Sequence, residues 1–293
     1  MPMHGDEIQI DAGLVSRLLA DQFPEGRGMA LREFRSIGTV NAIYRLGSNL
    51  LVRLPRRARW AADLDREREI LPRLESRLPL AIPRPVFAGS PSEDYPSTWA
   101  IYEWINGATY SDNTIRNEAQ AARDLASFVT ELRRLEVSGA PPAGRRPLSE
   151  LDGSTREAIA RASGLIDAER ALAVWDGDSR TEPWKSSPVW IHTDLLRPNL
   201  LAHNGRLTAV LDWGGAGVGD PAADAIAAWS VFTARGRQVF RRSLGVDDAT
   251  WQRARAYALH QAALIIPYYR DTNPEFMLTA VRTVREVLAD SVS

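Results

Sequence analysis

Residues Ile191 to Trp213 read IHTDLLRPNLLAHNGRLTAVLDW and place polar side chains between apolar runs. Within them, NLLAHNG (residues 199–205) and LTAVLDW (residues 207–213) have the composition of two short strands joined in a hairpin. His192, Asp194 and Asn199 stand at the entry to this hairpin. Any one of them alone is typical of an ordinary turn, because Asp and Asn favour turns. The ordered set, followed by Asp212 at the end of the hairpin, indicates a functional loop.

The spacing of these polar residues points to phosphoryl transfer. Asp194 and Asn199 are five positions apart, as are Asp and Asn in the catalytic loop H-R-D-x-x-x-x-N of phosphoryl-transfer enzymes. That chemistry needs a carboxylate to accept the proton of an attacking hydroxyl and an amide oxygen to join the ligands of Mg²⁺. Asp212, thirteen positions after Asn199, stands where a second, charged Mg²⁺ ligand is expected.

Other nucleotide-binding and hydrolytic chemistries lack their motifs. A Walker A loop needs G-x-x-x-x-G-K-S/T, and the single lysine, Lys185, lies in EPWKSSP with no glycine before it. The serine-nucleophile elbow G-x-S-x-G does not occur. The chain has no cysteine, which excludes disulfides, thiol catalysis and cysteine-bound zinc.

Composition favours a soluble, cytoplasmic protein. The 36 basic and 37 acidic residues give a formal net charge of -1, so a dedicated nucleic-acid-binding protein is not indicated. No apolar run is long enough to span a bilayer, and the N-terminus lacks the basic and hydrophobic regions of a signal peptide. We expect neither a nucleic acid nor a membrane as partner, and the oligomeric state stays open.

Hydrophobic periodicity divides the chain into an α+β N-terminal lobe, residues 1–105, and a larger, mostly helical C-terminal lobe, residues 106–293. In the first lobe a helix is predicted over 6–22 and another over 59–77. Strands are predicted over LREFRSI, NAIYRLG, NLLVRLP and STWAIYEWI, with a tight turn at Gly47-Ser48. In the second lobe we predict helices over 113–136 and 153–176, and nearly throughout after Asp220.

Three motifs in order resemble the aminoglycoside phosphotransferase family of antibiotic and small-molecule kinases. The family pattern H-G-D-L-H-x-x-N-L-L, then I-D-W, then G-D-P-x-x-D becomes HTDLLRPNLL, LDW and GDPAAD (residues 219–224) in this chain. The N-terminal string GTVNAIYRLGSNLLVRLPRR is also similar to a subgroup of that family. The resemblance spans most of residues 25–290 and implies a bilobal, protein-kinase-like fold.

Carried over by position, the resemblance implies a role for each matching residue of the central motifs. Asp194 becomes the catalytic base for the acceptor hydroxyl. Asn199 and Asp212 become the Mg²⁺ ligands. His192 becomes an organiser of the loop rather than a proton carrier.

The motifs also contain departures and structural residues. Thr193 replaces the family glycine and Leu196 the second histidine. Because a β-branched threonine disfavours positive φ, we predict that the backbone at Thr193 avoids it. Asp220 stands before Pro221 as a helix N-cap would, and we treat Asp220 and Asp224 as structural.

On the nucleotide side, the resemblance places Arg53 at the strand position of the cation that binds the α- and β-phosphates. Arginine binds phosphate through a planar fork, unlike lysine. Glu67 is the predicted helix partner of Arg53, since the family has this glutamate four residues before a leucine. Glu69 is the competing partner, and a surface salt bridge is the alternative role for either.

Two further segments are implied in nucleotide binding. Gly38 and Thr39 form the expected phosphate-covering turn, although no G-x-G-x-x-G motif occurs. The segment Tyr102-Glu103-Trp104-Ile105 is expected to hydrogen-bond the purine through its backbone. The expected nucleotide is ATP, with GTP as an alternative.

The acceptor is expected to be a hydroxyl of a small molecule. Only eight positions separate Asp212 from Asp220, too few for the activation segment of a protein kinase, and no A-P-E follows. Asp271 and Glu275 suit a polycationic aminoglycoside, whereas Trp251, Tyr257, Tyr268 and Tyr269 suit a macrolide. Aromatic residues at helical spacing are, however, more often part of the core than of a pocket. A hydroxylated metabolite stays equally open, and a non-catalytic nucleotide-binding scaffold or a phosphohydrolase are the competing functions.

Overall fold

The computed structural model describes residues 7–34, 40–74 and 77–290, and these residues form two compact units. The first unit comprises Met1–Ser76, Ala81–Gly107 and Leu211–Gly214. The second comprises Arg77–Leu80, Ala108–Val210 and Gly215–Ser293. The segment Leu211–Gly214, with Asp212, thus joins the first unit although its neighbours in sequence join the second. No helix of the described chain has both the length and the hydropathy needed to cross a membrane.

An antiparallel sheet is the centre of the first unit. Its strands are β1 (Leu31–Glu33), β2 (Asn41–Leu46), β3 (Leu50–Pro55), β4 (Pro85–Gly89) and β5 (Trp99–Glu103), in the order β1-β2-β3-β5-β4. Buried and partly exposed residues alternate along β2, as in a strand with one face on a core. Gly47 has φ of 60° in the turn from β2 to β3, a conformation that glycine adopts without steric cost.

Two helices, α1 (Ala12–Gln22) and α2 (Ala61–Leu74), belong to the first unit. The Asp11 carboxylate caps α1 by accepting a hydrogen bond from the Leu14 N–H at 2.8 Å. On α2 the buried positions Leu64, Glu67 and Leu71 recur at helical spacing and define its core face. Glu67 is therefore a carboxylate on an apolar face, a position that needs a cationic or hydrogen-bonding partner.

The second unit is mainly helical and also contains two small antiparallel sheets. Its helices are α3 (Glu118–Arg133), α4 (Asp152–Arg161), α5 (Ala168–Asp178), α6 (Ala222–Ala225), α7 (Ala227–Ser230), α8 (Ala234–Leu244), α9 (Asp248–Tyr269) and α10 (Pro274–Asp290). Its strands are β6 (Ala108–Thr109), β7 (Val189–Ile191), β8 (Leu200–His203), β9 (Arg206–Val210) and β10 (Gly217–Gly219). The predicted hairpin is β8 and β9, which turn through Asn204 and Gly205, both at positive φ.

The expected α+β class is confirmed, but two helix predictions in the second unit are wrong in extent. Residues 153–176 form two helices, α4 and α5, because Asp167 starts a new helix by accepting a hydrogen bond from the Arg170 N–H at 3.1 Å. The helix predicted from residue 113 begins at Glu118, after Asn117 caps it in the same way. The strand β4 was not predicted, since it lies in a proline-rich stretch.

Candidate active site

A buried ion pair joins β3 to α2 in the first unit. The Arg53 guanidinium donates from Nη1 to Glu67 Oε1 at 2.5 Å, and the Glu67 side chain is fully buried. Glu69, the competing partner, is exposed. Burial lowers the pKa of Arg53, but attraction to Glu67, then to Tyr102 and Asp212, outweighs it, so that pKa lies above its usual value. Arg53 is thus a permanent cation in a fixed position.

Residues 211–214 pack against this ion pair. The Trp213 N–H donates to the second Glu67 oxygen at 3.1 Å, and Arg53 Nη2 lies 3.9 Å from the Asp212 carboxylate. Burial raises the pKa of Glu67, while Arg53 opposes this rise. The Asp212 side chain is 49% exposed and has φ of 66°. Asp212 therefore presents its carboxylate beside a guanidinium and open to ligands.

The glycine pair that follows Trp213 is required by close packing on both sides. A Cβ added to Gly214 lies 2.9 Å from the Asp63 Cβ, and one added to Gly215 lies 2.6 Å from the Thr193 hydroxyl oxygen. Real Cβ atoms essentially never approach this closely, so neither position accommodates a larger residue without rearrangement. Burial, and then the charge of Asp212, raises the pKa of the neighbouring Asp63.

In the second unit, β7 leads into residues 192–199, which we call the Asp194 loop. The Asn199 amide nitrogen donates to the Asp194 carboxylate at 2.6 Å and to the Asp194 carbonyl at 3.0 Å. On the other carboxylate oxygen, Asp194 accepts a hydrogen bond from the amide of Gln261 on α9. The Asn199 amide has two N–H donors and both are used, so its oxygen is the atom left to bind a cation.

A buried carboxylate fixes the backbone of the loop. Asp224, on α6, accepts hydrogen bonds from the His192 N–H at 2.9 and 3.0 Å and from the Thr193 N–H at 2.8 Å. The His192 ring lies within the loop, where Nδ1 accepts from the Asp194 N–H at 3.3 Å. His192 and Asp224 are both fully buried. Through these contacts, His192 and Asp224 hold the backbone of the Asp194 loop in place.

The prediction for the backbone at Thr193 is wrong: its φ is 77°, in the left-handed region. Three neighbours hold this conformation, which a β-branched residue rarely adopts. The Asp224 carboxylate binds the Thr193 N–H, the Arg145 guanidinium donates to the Thr193 carbonyl, and Gly215 leaves room for its side chain. Threonine thus occupies the family's glycine position with the backbone that glycine would adopt.

The sequence did not predict Arg145 and Gln261 as residues of this site. Arg145, in the stretch between α3 and α4, also donates to the Gln261 amide oxygen at 3.0 Å and lies over the Tyr257 ring at 5.6 Å. Burial lowers the pKa of Arg145, and the charge of Asp194 opposes this effect. The one signal in the sequence was Gln261 itself, a polar residue directly before the apolar run AALII.

Asp220 has the capping geometry expected of it. Its carboxylate accepts a hydrogen bond from the Ala222 N–H at 2.9 Å, at the start of α6. The same carboxylate binds the Arg253 guanidinium of α9 at 2.8 Å. Asp220 thus ties α6 to α9.

The predicted purine-facing segment, residues 102–105, begins at the end of β5, an interior strand of the first unit's sheet. Tyr102 is buried on β5, with the Arg53 guanidinium 5.3 Å from its ring centroid. The Trp104 N–H donates to the Asn49 carbonyl at 2.7 Å, so that donor is used within the unit. Gly38 and Thr39 lie outside the described residues.

Comparison with known proteins identifies the family. A sequence profile described as the Phosphotransferase enzyme family matches residues 32–257, more than half of the chain. The chain belongs to this family. The matched range includes Arg53, Glu67, the Asp194 loop and Asp212, and it ends four residues before Gln261. No protein of curated function matches the chain.

Solved structures of similar fold include other phosphotransferases. The GDP complex of wild-type aminoglycoside 2'-phosphotransferase-IIIa is 19% identical, with a TM-score of 0.74 over 96% of this chain and 100% of that chain. Macrolide 2'-phosphotransferase type I is 20% identical, with a TM-score of 0.65 over 94% and 98%. Macrolide 2'-phosphotransferase MphH from Brachybacterium faecium is 21% identical, with a TM-score of 0.61 over 94% and 97%. The predicted protein-kinase-like fold is thereby confirmed for this family member.

Proposed function

We propose that this phosphotransferase moves the γ-phosphoryl group of a nucleoside triphosphate to a hydroxyl of a small molecule. The observation that carries the proposal is the Asp194 carboxylate, held on one oxygen by Asn199 and on the other by Gln261. Both partners are neutral amides, so they orient the carboxylate without supplying it with a proton. A positioned carboxylate of this kind is suited to act as a general base.

In the proposed reaction Asp194 accepts the proton of the acceptor hydroxyl. As that proton leaves, the hydroxyl oxygen bonds to the γ-phosphorus, and the bond from this phosphorus to the β,γ-bridging oxygen breaks. The products are a phosphate monoester and a nucleoside diphosphate. Arg145 binds the Thr193 carbonyl and thereby helps the loop backbone to hold Asp194 in position.

The first unit supplies the proposed nucleotide contacts. Arg53 pairs with the α- and β-phosphates and is oriented by Glu67. Tyr102 to Trp104 face the purine of ATP or GTP, and Gly38 and Thr39, which lie outside the described residues, are the residues proposed to contact the phosphates. Support comes from solved family members, which include complexes with GDP, with ADP and with ATP.

The residues present fit a Mg²⁺ ion by their chemistry. The Asn199 amide oxygen is the atom left by its two N–H contacts, and the Asp212 carboxylate is half exposed. Both are hard oxygen ligands, which Mg²⁺ prefers together with water and phosphate oxygens. A Mg²⁺ ion held by Asn199 and Asp212 would supply positive charge to the phosphates of the nucleotide.

The test is a phosphorylation screen with ATP or GTP and Mg²⁺, read by mass spectrometry. The acceptors are kanamycin, erythromycin and a set of hydroxylated metabolites, and the proteins are wild type, Asp194→Asn and Asp21→Asn. We expect Asp194→Asn to lose about 10²-fold or more in transfer rate, because positioned proton transfer contributes about 10² to 10⁴-fold. Asp21 is exposed on α1, and its replacement serves as the matched control for a lost carboxylate.

Three outcomes of the screen contradict the proposal. Equal transfer by wild type and Asp194→Asn removes Asp194 from the role of base. Nucleotide binding without transfer to any acceptor favours the scaffold, and nucleotide hydrolysis unaffected by every acceptor favours a phosphohydrolase.

A further inference from the structure

Large apolar side chains of the second unit are exposed toward the end of α9 and near the start of α10, and we call this region the apolar corner. Among the described residues of this unit they are Leu264 and Tyr268 on α9 and Leu278 on α10, which are 40%, 48% and 60% exposed. Leu264 and Tyr268 are one helical turn apart and so are neighbours on α9. The Tyr269 ring packs on the Phe276 ring with centroids 5.0 Å apart, which joins the end of α9 to the start of α10. Clustered apolar exposure marks a binding surface more often than isolated exposure does.

This corner lies on the helical face that contacts Asp194. Tyr257, Gln261, Leu264 and Tyr268 follow one another at spacings of four, three and four residues, which places them on one face of α9. Tyr257 is buried under Arg145, and Gln261 donates to Asp194. With a rise of 1.5 Å per residue, Leu264 and Tyr268 lie about 5 and about 10 Å further along the helix axis than Gln261. The exposed apolar side chains therefore begin about one helical turn beyond Gln261, the residue of α9 that contacts the Asp194 carboxylate.

The charges of α9 do not suit a polycation. From Ala249 to Arg270 the sequence contains no acidic residue. Two arginines of α9 are held in ion pairs by carboxylates of other elements, and these pairs are Arg253 with Asp220 and Arg255 with Asp178. Close to Asp194, the Arg145 guanidinium contributes a positive charge, since it binds both Thr193 and Gln261. A ligand with several ammonium groups finds no carboxylate on this face other than Asp194.

The acidic residues that suit an aminoglycoside by sequence lie beyond the helix. Asp271 and Glu275 are exposed and follow the last residue of α9. Asp271 is ten positions after Gln261, which corresponds to about 15 Å along the helix axis. They lie past the apolar corner, at its far end from Asp194.

We infer that the acceptor is a hydroxyl compound with an apolar ring or alkyl body that carries at most one positive charge. Its body lies on Leu264 and Tyr268, and its reacting hydroxyl reaches Asp194. This inference rests on the proposed function and specifies the acceptor class of the same site. It excludes polycationic aminocyclitols as the preferred acceptors.

The experiment compares kcat/KM for erythromycin, a macrolide with a single amine, with kcat/KM for kanamycin, which has several amines. Wild type is expected to prefer erythromycin by tenfold or more. Leu264→Glu is expected to lower acceptor kcat/KM tenfold or more through KM, with the KM for nucleotide unchanged. Leu264→Met retains the apolar surface and is expected to retain activity. Val86→Glu, an equally exposed apolar position in the first unit, is the matched control.

Three results would contradict the inference, and they differ in what they imply for the proposed function. Asp194-dependent transfer that prefers kanamycin overturns the inference and leaves the proposed function standing. Absence of transfer to every acceptor counts against both. The apolar corner could instead cover a second copy of the chain: a fall in sedimentation mass in Leu264→Glu, with acceptor kcat/KM unchanged, overturns the inference in favour of self-association.

Discussion

At the scale of single residues, neutral amides position Asp194, and the Arg145 cation is linked to it through one of them, Gln261. Arg145 donates to the oxygen of Gln261, and Gln261 donates to Asp194. A guanidinium in direct contact with a carboxylate favours its ionised form and weakens it as a base. The Gln261 amide lies between the two groups. Arg145 therefore helps to orient Asp194 without bringing its full positive charge to the carboxylate. Gln261 is thus a positioning residue that acts through Asp194.

Two replacements of Gln261 test separately the effect of its hydrogen bond to Asp194 and the effect of its lack of charge. We expect Gln261→Leu to lower kcat about tenfold without moving the pH–rate profile, since a tenfold loss corresponds to about 1.4 kcal/mol of lost orientation. Gln261→Glu places a second carboxylate against Asp194. Because like charges disfavour ionisation, the acid limb of the kcat profile is expected to move to higher pH.

The matched control is Gln252→Glu, an exposed position on the same helix whose side chain contacts Thr181. It introduces the same charge on α9 away from Asp194 and is expected to leave the profile unchanged. Unaltered kcat and unaltered profiles in both Gln261 variants contradict the positioning role.

Thr193 stores backbone strain in the same loop. Its φ of 77° costs a β-branched residue about 1 to 3 kcal/mol, which glycine avoids. We expect Thr193→Gly to raise the free energy of unfolding in urea by about 1 kcal/mol, because part of the relief is lost to the greater freedom of glycine in the unfolded chain. Thr193→Ala removes only the β-branch. Its free energy of unfolding is expected to lie between those of wild type and Thr193→Gly. A Thr193→Gly protein less stable than wild type would show that side-chain contacts outweigh the strain.

At the scale of elements, α9 connects the Asp194 loop to the packing of the second unit. His260 precedes Gln261 on α9 but points to a different face of the helix, where its Nδ1 and the Thr155 hydroxyl on α4 share a hydrogen bond of 2.7 Å. The His260 ring also packs near Trp175 of α5, with centroids 6.2 Å apart. Burial, and then repulsion by Arg145 and Arg146, lowers the pKa of His260 to about 4. The helix therefore requires a neutral histidine.

His260 makes stability depend on pH over a defined window. An unfolded histidine titrates near about 6.5, so between pH 6.5 and 4 the unfolded chain binds a proton that the folded chain does not. The free energy of unfolding therefore falls as pH drops through this window, by on the order of 3 kcal/mol in total at this residue. Urea unfolding at pH 7.5, 6 and 5 is expected to show a smaller fall in His260→Asn than in wild type. His203→Asn, at an exposed histidine, serves as the control, and parallel curves for wild type and His260→Asn would contradict this account.

At the scale of the whole molecule, the sequence was most informative where contacts are local. Asp194 and Asn199 are five residues apart and bind each other directly, and the hairpin after them forms where strand-like stretches flank Asn204 and Gly205. The helix predicted over 153–176 failed because the cap at Asp167 competes with helical periodicity, and periodicity alone does not rank the two.

The sequence was least informative where the fold joins distant residues. Gln261 lies 67 positions from Asp194, and the Trp213 N–H that binds Glu67 lies 146 positions from it. Such pairs arise from tertiary packing, which leaves no period in a single sequence. The same holds for Leu211–Gly214, which packs with the first unit by its contacts rather than by its order in the chain.

The central claim, that Asp194 is the base for phosphoryl transfer to a hydroxyl, is tested most directly by single-turnover kinetics. Wild type and Asp194→Asn are each saturated with Mg²⁺ and γ-labelled nucleotide and mixed with the best acceptor from the screen, and labelled product is followed over time. Nucleotide affinity is measured in parallel. The account predicts that Asp194→Asn binds nucleotide within about twofold of wild type yet transfers phosphate about 10²-fold or more slowly. Equal transfer rates in the two proteins would contradict it.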